Sequence, residues 1–246
     1  MTRYQLLVEY VGTDFRGWQI QKKGSTIQGL IQKKLTKLLK EKIILNGSGR
    51  TDTGVHAIEQ SAHFDCKNEI IDLTKFLKSI NHFVNDKGIA ITKVKKRSNK
   101  FHARFSAKQR IYKYVIFNQI SAPVIEKKRG WHVRKILDVE LIKKGAKKLL
   151  GTNDYSTFRS SSCHAKSPIR TIKLIKIKSS KNRIEIEFRS QSFLQQQVRS
   201  MVGCLKYLGE KKWNLKNFDR AFKSKKRMLC APPAPPEGLF LTRVIY

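Results

Sequence analysis

The sequence predicts an α+β fold made of two similar halves, each a mainly antiparallel sheet flanked by helices, with a basic active-site cleft between them. Three observations predict it. Strand-like alternation and helix-like three–four spacing follow one another along the chain, and the pattern starts afresh after a basic stretch near residue 100. No Gly/Ser-rich or acidic linker separates the two stretches, so the halves are expected to pack on each other. The expected boundaries are 1–100 and 101–246. With 246 residues, 40% of them hydrophobic, the chain suffices for one large domain or two of ordinary size. No sequence repeat links the halves, so their similarity rests on element order.

Tyr4, Leu6, Val8 and Tyr10 alternate as a half-buried strand, and the turn GTDFRGWQIQ follows. Ser25 and Gln28 form a capping box that opens a helix. Its apolar face is Ile27, Leu30, Ile31, Leu35, Leu38 and Leu39, and Lys33, Lys34, Lys37 and Lys40 line a solvated face. After a glycine loop, Ile58, Gln60, Ala62 and Phe64 alternate in a strand. A helix carrying Leu73, Phe76, Leu77 and Ile80 then leads to a strand over 89–94. The second half brings a strand RIYKYVIF, a helix from Asp138 to Leu150 stopped by Gly151, and strands near 171–177 and 184–188. A helix from Phe193 to Leu208 turns Leu194, Val198, Met201, Val202 and Leu205 inward and stops at Gly209. One more helix and a proline-rich turn precede the last strand, LFLTRVIY.

Charge narrows the function. Lys and Arg number 52 against 18 Asp and Glu, a net +34 with a pI near 10.3. An A/T-rich genome raises Lys but does not deplete acids, so the shortage of acids points to a surface selected for a polyanion. Of the two candidates, an anionic membrane is excluded by the lack of a long apolar run or a basic signal-like start, leaving nucleic acid. Cys66, Cys163, Cys204 and Cys230 lie far apart with no C-x-x-C pair, and the six histidines lack spacing such as H-E-x-x-H. No metal or cofactor is expected, and the thiols are those of a reduced, cytoplasmic protein. Cys163 and His164, adjacent in sequence, read as loop residues.

The segment GSGRTDTGVHA, residues 47–57, sets Asp52 two residues beyond Arg50 on a loop with three glycines. Glycines there make a tight turn that presents its side chains. The guanidinium can pair with the carboxylate and offers a planar fork to phosphate. A hairpin loop with a surface ion pair is the plainer alternative.

In six blocks the chain resembles the tRNA pseudouridine synthases of the TruA type, nearly end to end and in family order. They are YVGTDFRGWQIQ, GSGRTDTGVHA, FHARFSAKQRIYKYVI, GTNDYSTFR, FLQQQVRSMVG and PPEGLFLTRVIY. The resemblance implies that Asp52 is the nucleophilic aspartate, that Arg50 is its ion-pair partner and that Tyr112 contacts the target base. It implies a homodimer with a basic cleft for tRNA, and isomerisation of uridine to pseudouridine at positions 38 to 40 of the anticodon stem-loop. Leu239, in the closing block, is implied as a wall of the base pocket. The chain departs from the family at Thr53, where Ala is common, and at Gln195, Gln196 and Gln197, where one or two His are common. Arg199 keeps its place and is available to support the catalytic loop.

The chemistry fits that inventory. Conversion of uridine to its C-glycoside breaks N1–C1′ and makes C5–C1′ with no redox change, so one carboxylate can suffice, by covalent addition or through a glycal. Tyr112, lying over the base, can stack on it and help remove the C5 proton; read by itself it is equally an inward strand aromatic, like Tyr114 and Phe117. A uridine inside a stem must be extruded. Arg16 and Trp18 lie in a glycine-bounded turn where Trp18 either stacks on RNA or plugs the core. Lys108, Arg110 and Arg159 either grip phosphates or sit at solvated edges. Two rival classes remain. D-T-G at 52–54 is an aspartic-protease signature, but the preceding Arg50 and Thr51 replace the apolar residues such a site needs. A non-catalytic RNA-binding protein accounts for the charge but not for the loop.

Overall fold

Alternation puts Tyr4, Leu6, Val8 and Tyr10 on one side of β1 (Thr2–Tyr10), and all four are buried. The computed structural model describes residues 1–246 and divides them into two units: Met1–Lys108 with Phe240–Tyr246, and Gln109–Leu239.

In the first unit β1 is central. It pairs antiparallel with β3 (His56–Cys66), Leu6 opposite Ala62, and with β4 (Ile89–Arg97), Leu6 opposite Val94. The two-residue β2 (Asn46–Gly47) pairs with β3 antiparallel, and β10 (Leu239–Ile245) pairs with β3 in parallel, Phe240 opposite His56. The sheet is therefore mixed, and the end of the chain completes the unit in which it began.

Helix α1 (Ile27–Leu39) buries Ile27, Ile31 and Leu35, as its spacing requires. It is capped by Thr26, whose hydroxyl accepts from Gly29 N at 3.3 Å, and not by Ser25. The expected capping box fails because Gln28 serves elsewhere: its Oε1 accepts from Ile20 N and its Nε2 donates to Leu45 O. Helix α2 (Leu73–Val84) is capped by Asp72 and buries Phe76, Ile80 and Val84. Tyr4, Phe64 and Phe76 follow one another in ring contact at 5.7 and 6.3 Å, tying β1, β3 and α2 into one apolar layer. Ile58, expected inside, is exposed.

The opposite face of this sheet is buried yet polar. Gln5 donates to Ser61 Oγ at 2.8 Å, and Tyr246 OH donates to the same oxygen at 2.7 Å. The Arg3 fork grips Asp65 through two 2.7 Å bonds, which hold the Asp65 carboxyl below and the guanidinium above their ordinary ranges. Burial pushes the His63 imidazole down to about 4, with the charges of His102 and Arg3 acting the same way.

The second unit repeats the helix-and-sheet theme. β5 (Gln109–Asn118) pairs antiparallel with β9 (Arg183–Ser190), β9 with β8 (Ile169–Ser180), and β8 with β7 (Gly151–Asp154). The short β6 (Trp131–Val133) adds to β5 in parallel. Helix α3 (Val139–Lys147) is capped by Asp138, and α5 (Leu215–Lys223) by an Asn214/Asn217 box. Helix α4 (Gln197–Gly209) starts four residues later than its apolar pattern predicts. Gln196 takes a left-handed φ of 60°, and Gln197 Oε1 accepts from Leu194 N, so the preceding segment turns and does not wind. No helix is long and apolar enough to cross a membrane.

Candidate active site

The loop that carries Asp52 is clamped to the first unit at several points. At its entry Ser48 N donates to Ser61 O at 2.7 Å. The wholly buried Gln60 accepts from Ser48 Oγ at 2.6 Å and donates to Gly49 O at 2.8 Å. One residue before the carboxylate, Thr51 Oγ1 shares a 2.7 Å hydrogen bond with Tyr10 OH, and Thr51 O accepts from Trp18 N at 3.1 Å. After it, Val55 N returns to Asp52 O at 3.1 Å, with Gly54 at φ +79° as the third residue of that turn.

Two close approaches explain why the neighbouring residues are glycines. Gly17, at φ +77°, passes so near that a Cβ there would lie 2.5 Å from Thr51 O and 3.1 Å from Asp52 C. A Cβ on Gly47 would lie 2.4 Å from the Trp18 indole nitrogen. Trp18 itself is 2% exposed and packs 6.0 Å from the Tyr10 ring. Of its two sequence readings the structure takes the core plug, beneath the loop.

The loop's side chains then divide. Asp52 is half-buried, Arg50 and Thr53 are exposed, and the Arg50 Nε donates to Gln19 Oε1 at 2.9 Å. His56 stacks on Phe240 at 4.8 Å, and its Nδ1 accepts from Gly12 N. Arg16 is exposed and lies across Gly24, and Lys108 is an exposed side chain on a backbone tied to Ile245 O.

In the second unit Tyr112 is buried, opposite Phe188 on β9 and edge-on to Phe193 at 5.2 Å. Arg110 is also buried, and its Nη1 donates to Gln191 O. Arg199 is half-buried; its Nε donates to Ala234 O at 2.7 Å while Ala234 N donates to Arg199 O at 2.9 Å, which fastens the proline-rich turn to α4. Arg159 is half-buried at the end of a short turn, and Leu239 is buried at the start of β10. Sequence reasoning missed Tyr10, Gly17, Thr51 and Gln60. The available signal was a polar Gln60 at an inward strand position, where an unsatisfied amide is costly.

The loop thus seats a half-buried carboxylate firmly on a chain of net charge +34, a surface suited to a polyanion. The model of the tRNA pseudouridine synthase family matches the chain twice, over residues 6–106 and 146–246, and the chain belongs to that family of isomerases. The double match shows two similar halves that no visible repeat had revealed. The chain is 71% identical to tRNA pseudouridine synthase A of Pelagibacter ubique (strain HTCC1062), over 246 residues and the whole of both chains. It is 41% identical over 248 residues to the protein of that name from Sinorhizobium medicae (strain WSM419), and 38% identical over 246 residues to that from Zymomonas mobilis, again over all of each chain. Among solved structures it aligns with a chain of a Cbf5-Nop10-Gar1 complex at 11% identity and a TM-score of 0.38, spanning 96% of this chain and 57% of that one.

Proposed function

We propose that this chain isomerises uridine to pseudouridine in tRNA, at positions 38, 39 and 40 of the anticodon stem-loop, with Asp52 as the nucleophile. The observation that carries the reading is the clamped loop. Hydrogen bonds from Trp18 and Gln60 hold the backbone on the approach to Asp52, and Tyr10 holds the Thr51 hydroxyl, while the Asp52 side chain is left half-buried. Such a carboxylate reaches its transition-state position with little reorganisation.

Asp52 attacks the sugar or base, or removes a sugar proton; either route frees the uracil from C1′ so that it turns and rejoins through C5. Arg50, exposed beside it, supplies positive charge for the carboxylate or for a backbone phosphate. Tyr112 contacts the base and assists loss of the C5 proton. The base leaves the stem to react, and the basic surface offsets the cost of unstacking through phosphate contacts. The enzyme works without a metal or cofactor, as a homodimer in the cytoplasm. An unmodified anticodon stem-loop transcript incubated with the purified chain alone, its product mapped by position, tests this. Pseudouridine at 38, 39 or 40 is the expected result; pseudouridine only elsewhere, or none, overturns the assignment.

A further inference from the structure

The stretch from Lys93 to Arg110 holds eight Lys and Arg and no acidic residue, and the site described above uses little of it. At its centre Phe105 is 76% exposed. It is not a loose surface residue. The His102 ring lies 4.4 Å from it at 37°, and the Arg104 guanidinium sits 5.5 Å from its centroid.

The segment beneath is bolted to the polar face of the first unit's sheet. Ala103 N donates to His63 Nδ1 at 3.2 Å, Ala103 O accepts from Tyr246 OH at 2.8 Å, and Phe101 O accepts from the Arg3 fork at 2.6 Å. Within the turn, His102 N donates to Ser106 Oγ, and His102 Nδ1 accepts from Arg104 N at 3.1 Å. The apolar ring is therefore held out into water on a fixed base.

We infer that Phe105, with His102 and Arg104, is a stacking platform for an unpaired base of RNA. Aromatic faces interleaved with cations suit a single strand, since every base offers a π-face and every nucleotide a phosphate. An apolar protein groove would need apolar neighbours, whereas those of Phe105 are a guanidinium and an imidazole ring. Because the ring is already ordered, little conformational entropy opposes stacking. This inference rests on the reading of RNA as substrate and adds a contact that the carboxylate loop does not supply.

The test uses an Asp52→Ala background, so that binding is measured without turnover, with Phe105→Ala, Phe105→Leu and Phe105→Trp added in turn. On an unmodified anticodon stem-loop, the Ala and Leu variants are expected to bind about tenfold more weakly, ~1.4 kcal/mol. The Trp variant should bind as the parent does, with its added emission quenched by RNA, and none of the changes should affect binding to a fully paired duplex. Stem-loop binding by Phe105→Ala as tight as the parent's, a Leu variant equal to Phe, or an unquenched Trp overturns the platform. The two readings fail separately, because pseudouridine formation is assayed in the chain that keeps Asp52. Quenching on RNA in the Asp52→Ala background with no pseudouridine from the Asp52 chain keeps the platform and loses the isomerase assignment; pseudouridine from the Asp52 chain without quenching does the reverse.

Discussion

Replacing Gly17 by Ala isolates what the clamp on the carboxylate loop contributes. Gly17 sits at φ +77°, so any side chain there carries left-handed strain of about 1–2 kcal/mol. The new Cβ would also stand 2.5 Å from Thr51 O, about 1 Å inside ordinary contact, and the neighbour is backbone that cannot rotate away. The Thr51–Asp52 segment must therefore move by a comparable distance. A displacement of about 1 Å in a catalytic group lowers turnover about 100-fold. Gly88→Ala is the control: its φ is +69°, but its Cβ would meet only Val11 Cβ, at 3.6 Å. Gly88→Ala should lose about 5 °C in Tm, from ~1–2 kcal/mol in a chain of this size, and Gly17→Ala more, because its clash adds to the same strain. Only Gly17→Ala should lose kcat, with KM for tRNA nearly unchanged. Equal kcat in the two variants would refute the claim that backbone fit at Gly17 positions Asp52.

Three further outcomes follow from the same contacts. Gln60→Ala strips partners from Ser48 Oγ and Gly49 O in a buried place and should lower urea-unfolding stability by about 3 kcal/mol; a loss under about 1 kcal/mol would show that the loop finds other partners. His63, 2% exposed and pushed from 6.5 to about 4, stays neutral in the fold while the unfolded chain takes up a proton, so its contribution of about 3 kcal/mol is full above pH 6.5 and is lost as pH falls toward 4. Urea unfolding between pH 7.5 and 4.5 should show that slope, reinforced by His102, and a His63→Gln variant should flatten it. Affinity for tRNA should fall steeply with salt, log Kd rising linearly with log salt concentration at a slope of about 6 or more, whereas a slope near 1 would mean that the +34 surface barely meets phosphate.

Periodicity made most elements legible. Apolar spacing found the inward faces of β1, α1 and α2 because those residues pack against one another and nothing competes with the pattern. It failed where hydrogen bonding overrode it. Gln28 left the capping box to bridge Ile20 and Leu45, and the left-handed Gln196 delayed α4. β3 has two buried faces, one of them built from Ser61 and His63, so alternation along it does not tell core from solvent. Strands as short as β2, β6 and β7 carry too few residues for any period, and no local pattern says that β10 pairs with β3. In the site, glycine spacing and the charged pair marked the loop. Tyr10 was hidden because it reaches the loop from a strand 41 residues away in sequence, and Gln60 because nothing in its strand pattern says that the side chain folds back onto the loop before it. Trp18 could not be told from a surface aromatic until its burial was known.

The central claim is that one carboxylate performs the isomerisation. It is tested most directly by measuring pseudouridine formation on an anticodon stem-loop transcript by the parent chain and by Asp52→Ala, with RNA affinity measured in parallel. The parent should convert the uridine, and the variant should bind about equally well but make no product. An Asp52→Ala chain that still forms pseudouridine at a comparable rate would contradict the assignment of Asp52 as nucleophile.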